Sequence, residues 1–461
     1  MSLRRFASSL ACIFATVLGA CDSNSPGGEP PGPGADGGPG GDDDGSVAST
    51  CAPTSGPGTT HASSPTADET WTAADSPHIV TAALSIAAGR TLTLEPCAVV
   101  KIKGSIGFTV QGKLVATGAA DKRIRIERAD DTAWTSIETR AGAELRFSYV
   151  TVEGGGNSNG GRPTQFGAID VRGDQELAPQ PIFFADHVTV RGSESLGVWA
   201  REGGAFAPGS QSVTVTGGAT FPVLVWGNAA GTLPAGSYTG NAEDEIFLPA
   251  FGGRDDIRQD MTLPNRGVPY RVGGSTGGSS LTVGDKGAVP LLTIDPGVTL
   301  RFAKNTRLLL SNEGGTAIGA LRAEGTADKP IVFTSAEAAP AAGDWTGILI
   351  AGTPDPRDKI AFATIAYAGG TSGVSSFDCP SPLVTTFVNE GAIVIHGGRP
   401  GSSFVTNTTF DSSAGDGVVR GWTGDPLDFL ATNTFTNIAR CHQTFPRPNV
   451  GVCPNPTECP Q

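Results

Sequence analysis

Short runs in which apolar and polar residues alternate recur along most of the chain. Val99 to Lys103 is typical: Val100 and Ile102 fall on one side, and Val99, Lys101 and Lys103 on the other. A period of two is that of a β-strand with one face buried. Comparable runs return every 20 to 27 residues, roughly the spacing of short strands joined by tight bends, with Gly, Asn, Asp and Pro between them. Helix formers are scarce, while Val, Ile, Thr and Phe recur. A single turn of such strands cannot bury its own apolar side, but stacked turns can, so the pattern predicts an all-β solenoid.

The chain also repeats itself on a longer scale. Leu92–Lys103 (LTLEPCAVVKIK) matches Leu292–Ala303 (LTIDPGVTLRFA), and Gly112–Glu127 matches Gly319–Thr334. Trp134-Thr-Ser-Ile matches Trp345-Thr-Gly-Ile, Leu145 onward matches Ile360 onward, and Gly167 onward matches Gly391 onward. Phe184, Val190, Ser193 and Gly197 match Phe404, Phe410, Ser413 and Gly417 at constant spacing. Six blocks in one order indicate a duplication. The first copy with an N-terminal cap spans 51–265, the second spans 266–445, and a Cys-containing tail occupies 446–461.

The series L-x-I-x-P-G-V-x-L-x-F, G-x-L-x-A-x-G-T-x-x-K-P-I-x-F-T-S, G-D-W-x-G-I and I-x-Y-A-G resembles bacterial exported proteins with right-handed parallel β-helix repeats, many of them lipoproteins. The resemblance covers nearly all of 78–440 and is clearest in the second copy. The first copy departs from it: Cys97 stands at the turn Gly, Arg123 at the Pro, and Ser136 at the Gly of W-x-G-I. It implies a right-handed parallel β-helix of two duplicated copies preceded by a disordered tether, and it implies function only weakly. A β-sandwich would need antiparallel hairpins with N-G or D-G turns, and few are present.

The N-terminus predicts export. Arg4 and Arg5 precede an apolar run from Phe6 to Ala20, which is too short to span a bilayer and reads as a signal peptide over 1–20. It ends Leu18-Gly19-Ala20-Cys21, which resembles a lipobox, so Cys21 is the expected lipidation site; an ordinary secretory signal with an incidental Cys21 is the alternative. Acyl chains contribute about 0.8 kcal/mol per buried CH₂, enough in pairs to hold a domain on a membrane. Residues 21–50 are rich in Gly, Pro and Asp and read as a disordered linker. The expected location is the bacterial cell envelope, at the outer membrane or cell surface, with the lipid anchor as the membrane contact.

The formal charge of −13, more negative still once Arg4 and Arg5 are removed, argues against nucleic acid and anionic headgroups as partners. Six cysteines remain in the mature body: Cys51, Cys97, Cys379, Cys441, Cys453 and Cys459. An even count in an exported chain suggests disulfides, with Cys51 and Cys97 both at the N-terminal end. A zinc site around Cys441, His442, Cys453 and Cys459 is disfavoured because close C-x-x-C pairs are missing. No cofactor and no metal is called for.

Catalytic signatures are weak. H-E-x-x-H and the phosphate loop are both missing. Asp186-His187 aligns with Asn407 of the second copy and reads as a polar turn before it reads as a base with its orienting acid. A polysaccharide lyase or glycosidase on this scaffold would need two carboxyl groups about 5 to 9 Å apart. Asp170, Asp186 and the pairs Asp130-Asp131 and Asp255-Asp256 supply no clear pattern. A binding face is better supported. Trp199 and Trp226 point outward if Val198 and Val225 point in, and Asp170 lies 29 residues before Trp199. One expects Asp170, Trp199 and Trp226 on one face of three successive rungs, with accessible rings suited to sugar stacking. A loop over both rings is the alternative. Trp134 and Trp345 share one repeat position and read as packing residues. The sequence thus points to a surface lipoprotein acting without catalysis in adhesion, glycan contact or envelope structure, its partners a polysaccharide or another surface protein.

Overall fold

The computed structural model describes residues 48–461 apart from 158–165, 175–177, 275–279, 312–317, 375–377, 381–388, 454–458 and 460–461. Cys21, the signal peptide and nearly all of the linker lie outside the described residues.

Strands of two to twelve residues wind as a right-handed parallel β-helix. Among the described residues they stack into sheets of twelve, thirteen, five and five strands, and every strand-to-strand ladder is parallel. The thirteen-stranded sheet runs from Leu84–Ile86 to Thr434–Thr436 and so crosses both sequence copies. Its inward side is one apolar file: Leu84, Phe108, Ile137, Ile169, Val198, Val223 and Ile246 face one another rung by rung. Tyr270, Leu300, Phe333, Ile365 and Phe410 continue it. Each fully buried residue of this size contributes about 1.5–3 kcal/mol, and only stacking makes the burial possible.

The two copies are not superposed face on face. Val99–Ile102 lies in the twelve-stranded sheet, but its repeat equivalent Thr299–Phe302 lies in the thirteen-stranded one. Ile137–Thr139 lies in the thirteen-stranded sheet, and its equivalent Gly347–Gly352 in a five-stranded one. The second copy is therefore turned by one face about the solenoid axis. Trp134 and Trp345, at equivalent positions, are fully buried, and their indole N–H groups donate to Glu153 O at 2.9 Å and Ala366 O at 2.8 Å.

Both ends are closed. Cys51 is joined to Cys97 across 46 residues of sequence. Cys97 keeps the left-handed backbone (φ 68°) that Gly297 (φ 81°) has at the same turn of the second copy. Trp71 stacks on His61 at 3.9 Å and on His78 at 5.0 Å, and the two imidazoles meet at 3.1 Å. At the far end Cys379 is bonded to Cys453 and Cys441 to Cys459, so the tail cysteines are disulfides. There Arg420 takes an inward position opposite Ile395 and donates to the carbonyls of Thr444 and of Leu427 (2.7 Å).

Candidate functional site

Alternation along the strands of the thirteen-stranded sheet sends two files of side chains outward. The first runs Glu138, Asp170, Trp199, Leu224, Phe247. The second, two residues further along each strand, runs Arg140, Arg172, Arg201, with Gln111 one rung before and Trp226 one rung after.

The arginines and acids of these files form one network. Arg201 grips Asp170 with two prongs, Nε to Oδ1 at 2.9 Å and Nη2 to Oδ2 at 2.8 Å. The same Nη2 reaches Glu138 at 3.2 Å, and Nη1 reaches Glu202 at 2.9 Å. Arg172 Nε donates to Glu202 at 2.7 Å, and Arg140 Nη2 to Glu138 at 3.0 Å. Such forked pairs hold geometry better than point contacts do. Asp170 is only 5% exposed. Its burial outweighs the bonds and charge of Arg201 and pushes the carboxyl up to about 6. Burial alone would lower Arg201, but bonding to Asp170 and the charges of Asp170, Glu202 and Glu138 keep it above its ordinary value.

Beside this network an open cleft of about 430 Å³ follows the corner of the solenoid. It is lined by Ala88, Gln111, Arg140, Ala141, Arg172, Gly173, Asp174 and Glu202. The corner is tight: a Cβ on Gly173 would fall 2.3 Å from the Glu202 carbonyl oxygen. Small residues at 88, 141 and 173 leave the polar side chains to define the wall.

On the other side of Arg201 lies an apolar cluster outside the barrel. Leu196, Phe221, Leu224 and Trp226 pack together, with Trp199 and Phe247 against them. Trp226 meets Phe251 edge to face at 6.0 Å, and the Arg201 guanidinium lies 4.2 Å over the Trp199 ring.

This geometry corrects the expected stripe. Asp170 and Trp199 are indeed neighbours in one outward file, but the next member is Leu224, not Trp226. The rung between them is 25 residues long, not 27, so Trp226 drops into the file of Arg201. It is 7% exposed, hence a packing residue and not an accessible ring. Trp199 is half-buried, and Asp170 is closed beneath Arg201. In the second copy the matching outward positions Val394 and Val419 are also buried, in a file with Leu309 and Leu349 against which Val374 packs.

The Asp186–His187 pair is formed, with His187 Nδ1 2.8 Å from Asp186 Oδ1. His187 sits on a left-handed bend (φ 54°), as does Asn407 (φ 49°) in the second copy. Its ring is stacked at 4.5 Å on Tyr149, itself at φ 52°, so the residue belongs to a column of corner residues.

Sequence reasoning singled out Asp170 and Trp199 and passed over the Glu138, Arg140, Arg172, Arg201 and Glu202 that surround them. A signal was present. Thr139-Arg140-Ala141-Gly142, Val171-Arg172-Gly173 and Ala200-Arg201-Glu202-Gly203 each place Arg at the end of a strand, with a turn Gly one or two residues later, on consecutive rungs.

Fold and site together define a parallel β-helix protein with a charged cleft on one corner. A family described as a pectate-lyase-like β-helix domain matches residues 275–373. No curated protein and no solved structure matches the chain. The matched stretch lies wholly after the cleft, so the likeness concerns the scaffold.

Proposed function

We propose that this chain is a lipid-anchored protein of the cell envelope whose β-helix acts without catalysis, contacting polysaccharide through the corner cleft and the exposed part of Trp199. One observation carries the reading. The carboxylates of Glu138 and Asp170 share one nitrogen of Arg201, at 3.2 and 2.8 Å, and Glu202 accepts from Arg201 and Arg172, at 2.9 and 2.7 Å. Hydrolysis needs one carboxyl free to give a proton and another free to attack or to activate water. Here Asp170 is buried with both oxygens bound to a guanidinium. The open part of the cleft instead offers guanidinium donors and carboxylate acceptors, the groups that recognise hydroxyls.

A glycan array probed with the intact protein tests this, followed by incubation with each bound glycan and an assay for new reducing ends or unsaturated ends. Binding without cleavage is expected. Cleavage that disappears in Asp170→Asn or Glu138→Gln overturns the non-catalytic reading. The anchor rests on Cys21, and Cys21→Ala should leave the protein without acyl label and out of the membrane fraction. Unchanged labelling refutes that part.

A further inference from the structure

We propose that the cleft takes a linear, uncharged polysaccharide lying parallel to the solenoid axis, with one sugar per rung and about four sugars in contact. This rests on the reading of the cleft as a carbohydrate site and adds its direction and ligand class. The direction follows from register. Gln111, Arg140 and Arg172 occupy the same strand-end position on consecutive rungs, and the next rung contributes Glu202. Their polar heads therefore repeat along the axis at the inter-strand spacing of roughly 4.8 Å, close to the length of one pyranose in an extended chain. Across the strands no such repeat exists, because Arg140 and Arg172 at the strand ends are each followed at once by a small turn residue, Ala141 and Gly173.

The class follows from charge. Two guanidiniums and two carboxylates line the cleft: Arg140, Arg172, Asp174 and Glu202. Arg140 is already matched by Glu138 at 2.9 Å and Arg172 by Glu202 at 2.7 Å. A polyuronate would have to draw these arginines from their partners while its own carboxylates approached Asp174 and Glu202. The chain's net charge of −13 would oppose its arrival as well. Hydroxyl groups meet no such penalty, since each can accept from a guanidinium and donate to a carboxylate without disturbing the pairs. A scaffold that resembles pectate lyases thus carries a cleft suited to a neutral chain.

Calorimetric titration of the intact protein with neutral β-linked glucan and mannan oligosaccharides of two to six sugars, and with oligogalacturonates of the same lengths, tests this. Affinity for a neutral series should rise with each sugar up to about four, level off, and change little with salt. Arg172→Gln should weaken it by about tenfold, or 1.4 kcal/mol. Tighter, salt-sensitive binding of the oligogalacturonates overturns the ligand class. Affinity already complete at two sugars overturns the axial direction. If neither series binds, or if Arg140→Gln and Arg172→Gln bind as the parent does, the carbohydrate reading of the cleft itself fails.

Discussion

Replacing Arg201 by Met exposes the logic of the charged network most directly. Met keeps much of the aliphatic stem but removes the guanidinium that lies over Trp199 and answers Asp170, Glu138 and Glu202. Asp170 is 5% exposed, and the Arg201 side chain 14% exposed, so solvent cannot replace the lost partner. Stripping one member from a buried pair costs about 3–5 kcal/mol, chiefly the penalty of an unpaired buried charge. That penalty depends on pH. Asp170 already titrates near 6 with the arginine present. Without it the carboxyl rises further, so at pH 5 the variant holds a neutral acid that needs no cation. Urea denaturation at pH 7.5 should therefore show the full loss, and at pH 5 a clearly smaller one. Arg201→Met combined with Asp170→Leu should recover most of the stability at pH 7.5. A loss under about 1 kcal/mol at pH 7.5, or an equal loss at both values, would refute the view that this network is buried and charged.

Three further outcomes follow. Trp226→Ala should cost about 3–5 kcal/mol, as for large buried aromatics, and leave glycan binding nearly intact, whereas Trp199→Ala should weaken binding with a smaller stability loss; the reverse ranking would restore Trp226 as an exposed ring. Cys51→Ser with Cys97→Ser should cost about 4 kcal/mol for the 46-residue separation in the chain-entropy treatment, read as faster amide exchange in the first rungs, and unchanged exchange would show that the cap holds without its bridge. Burial holds Asp358 and Asp416 up at about 7, above the ordinary 3.8, so the folded state binds protons more tightly and stability should rise as pH falls from about 7.5 to 6.5. Below that window the lowered His61, His396 and His442 work in the opposite sense. A melting temperature that falls between pH 7.5 and 6.5, or a trend unchanged in Asp358→Asn, contradicts the assignment.

The fold was legible because every rung carries its own statement of it. Alternation at Val99–Lys103 or Leu292–Ile294 needs no distant information, and duplicated blocks remove accidental matches. The site was only half legible, because outward neighbours depend on the length of each rung. Two residues more or fewer between Trp199 and the next strand decide whether Leu224 or Trp226 lies beside it. Burial of outward positions was legible only where alternation broke down: Leu309, Leu349, Val394 and Val419 stand in unbroken apolar runs such as Leu308-Leu309-Leu310, and Val374 packs against their file. The arginine column escaped for another reason: its members lie at strand ends, where alternation gives way to turn chemistry and Arg reads as an ordinary solvated residue.

The one-face turn between the copies also bears on how such a protein diversifies. In a solenoid that doubles in phase, any functional position appears twice on the same side, and a longer ligand gains a second grip. Here the repeat equivalents of Ile137–Thr139 and Gly167–Arg172, Gly347–Gly352 and Gly391–Gly397, look out in another direction. The duplication thus gave the protein reach without valency: the charged file of one copy and the apolar file of the other, Leu309, Leu349, Val394 and Val419, face different directions.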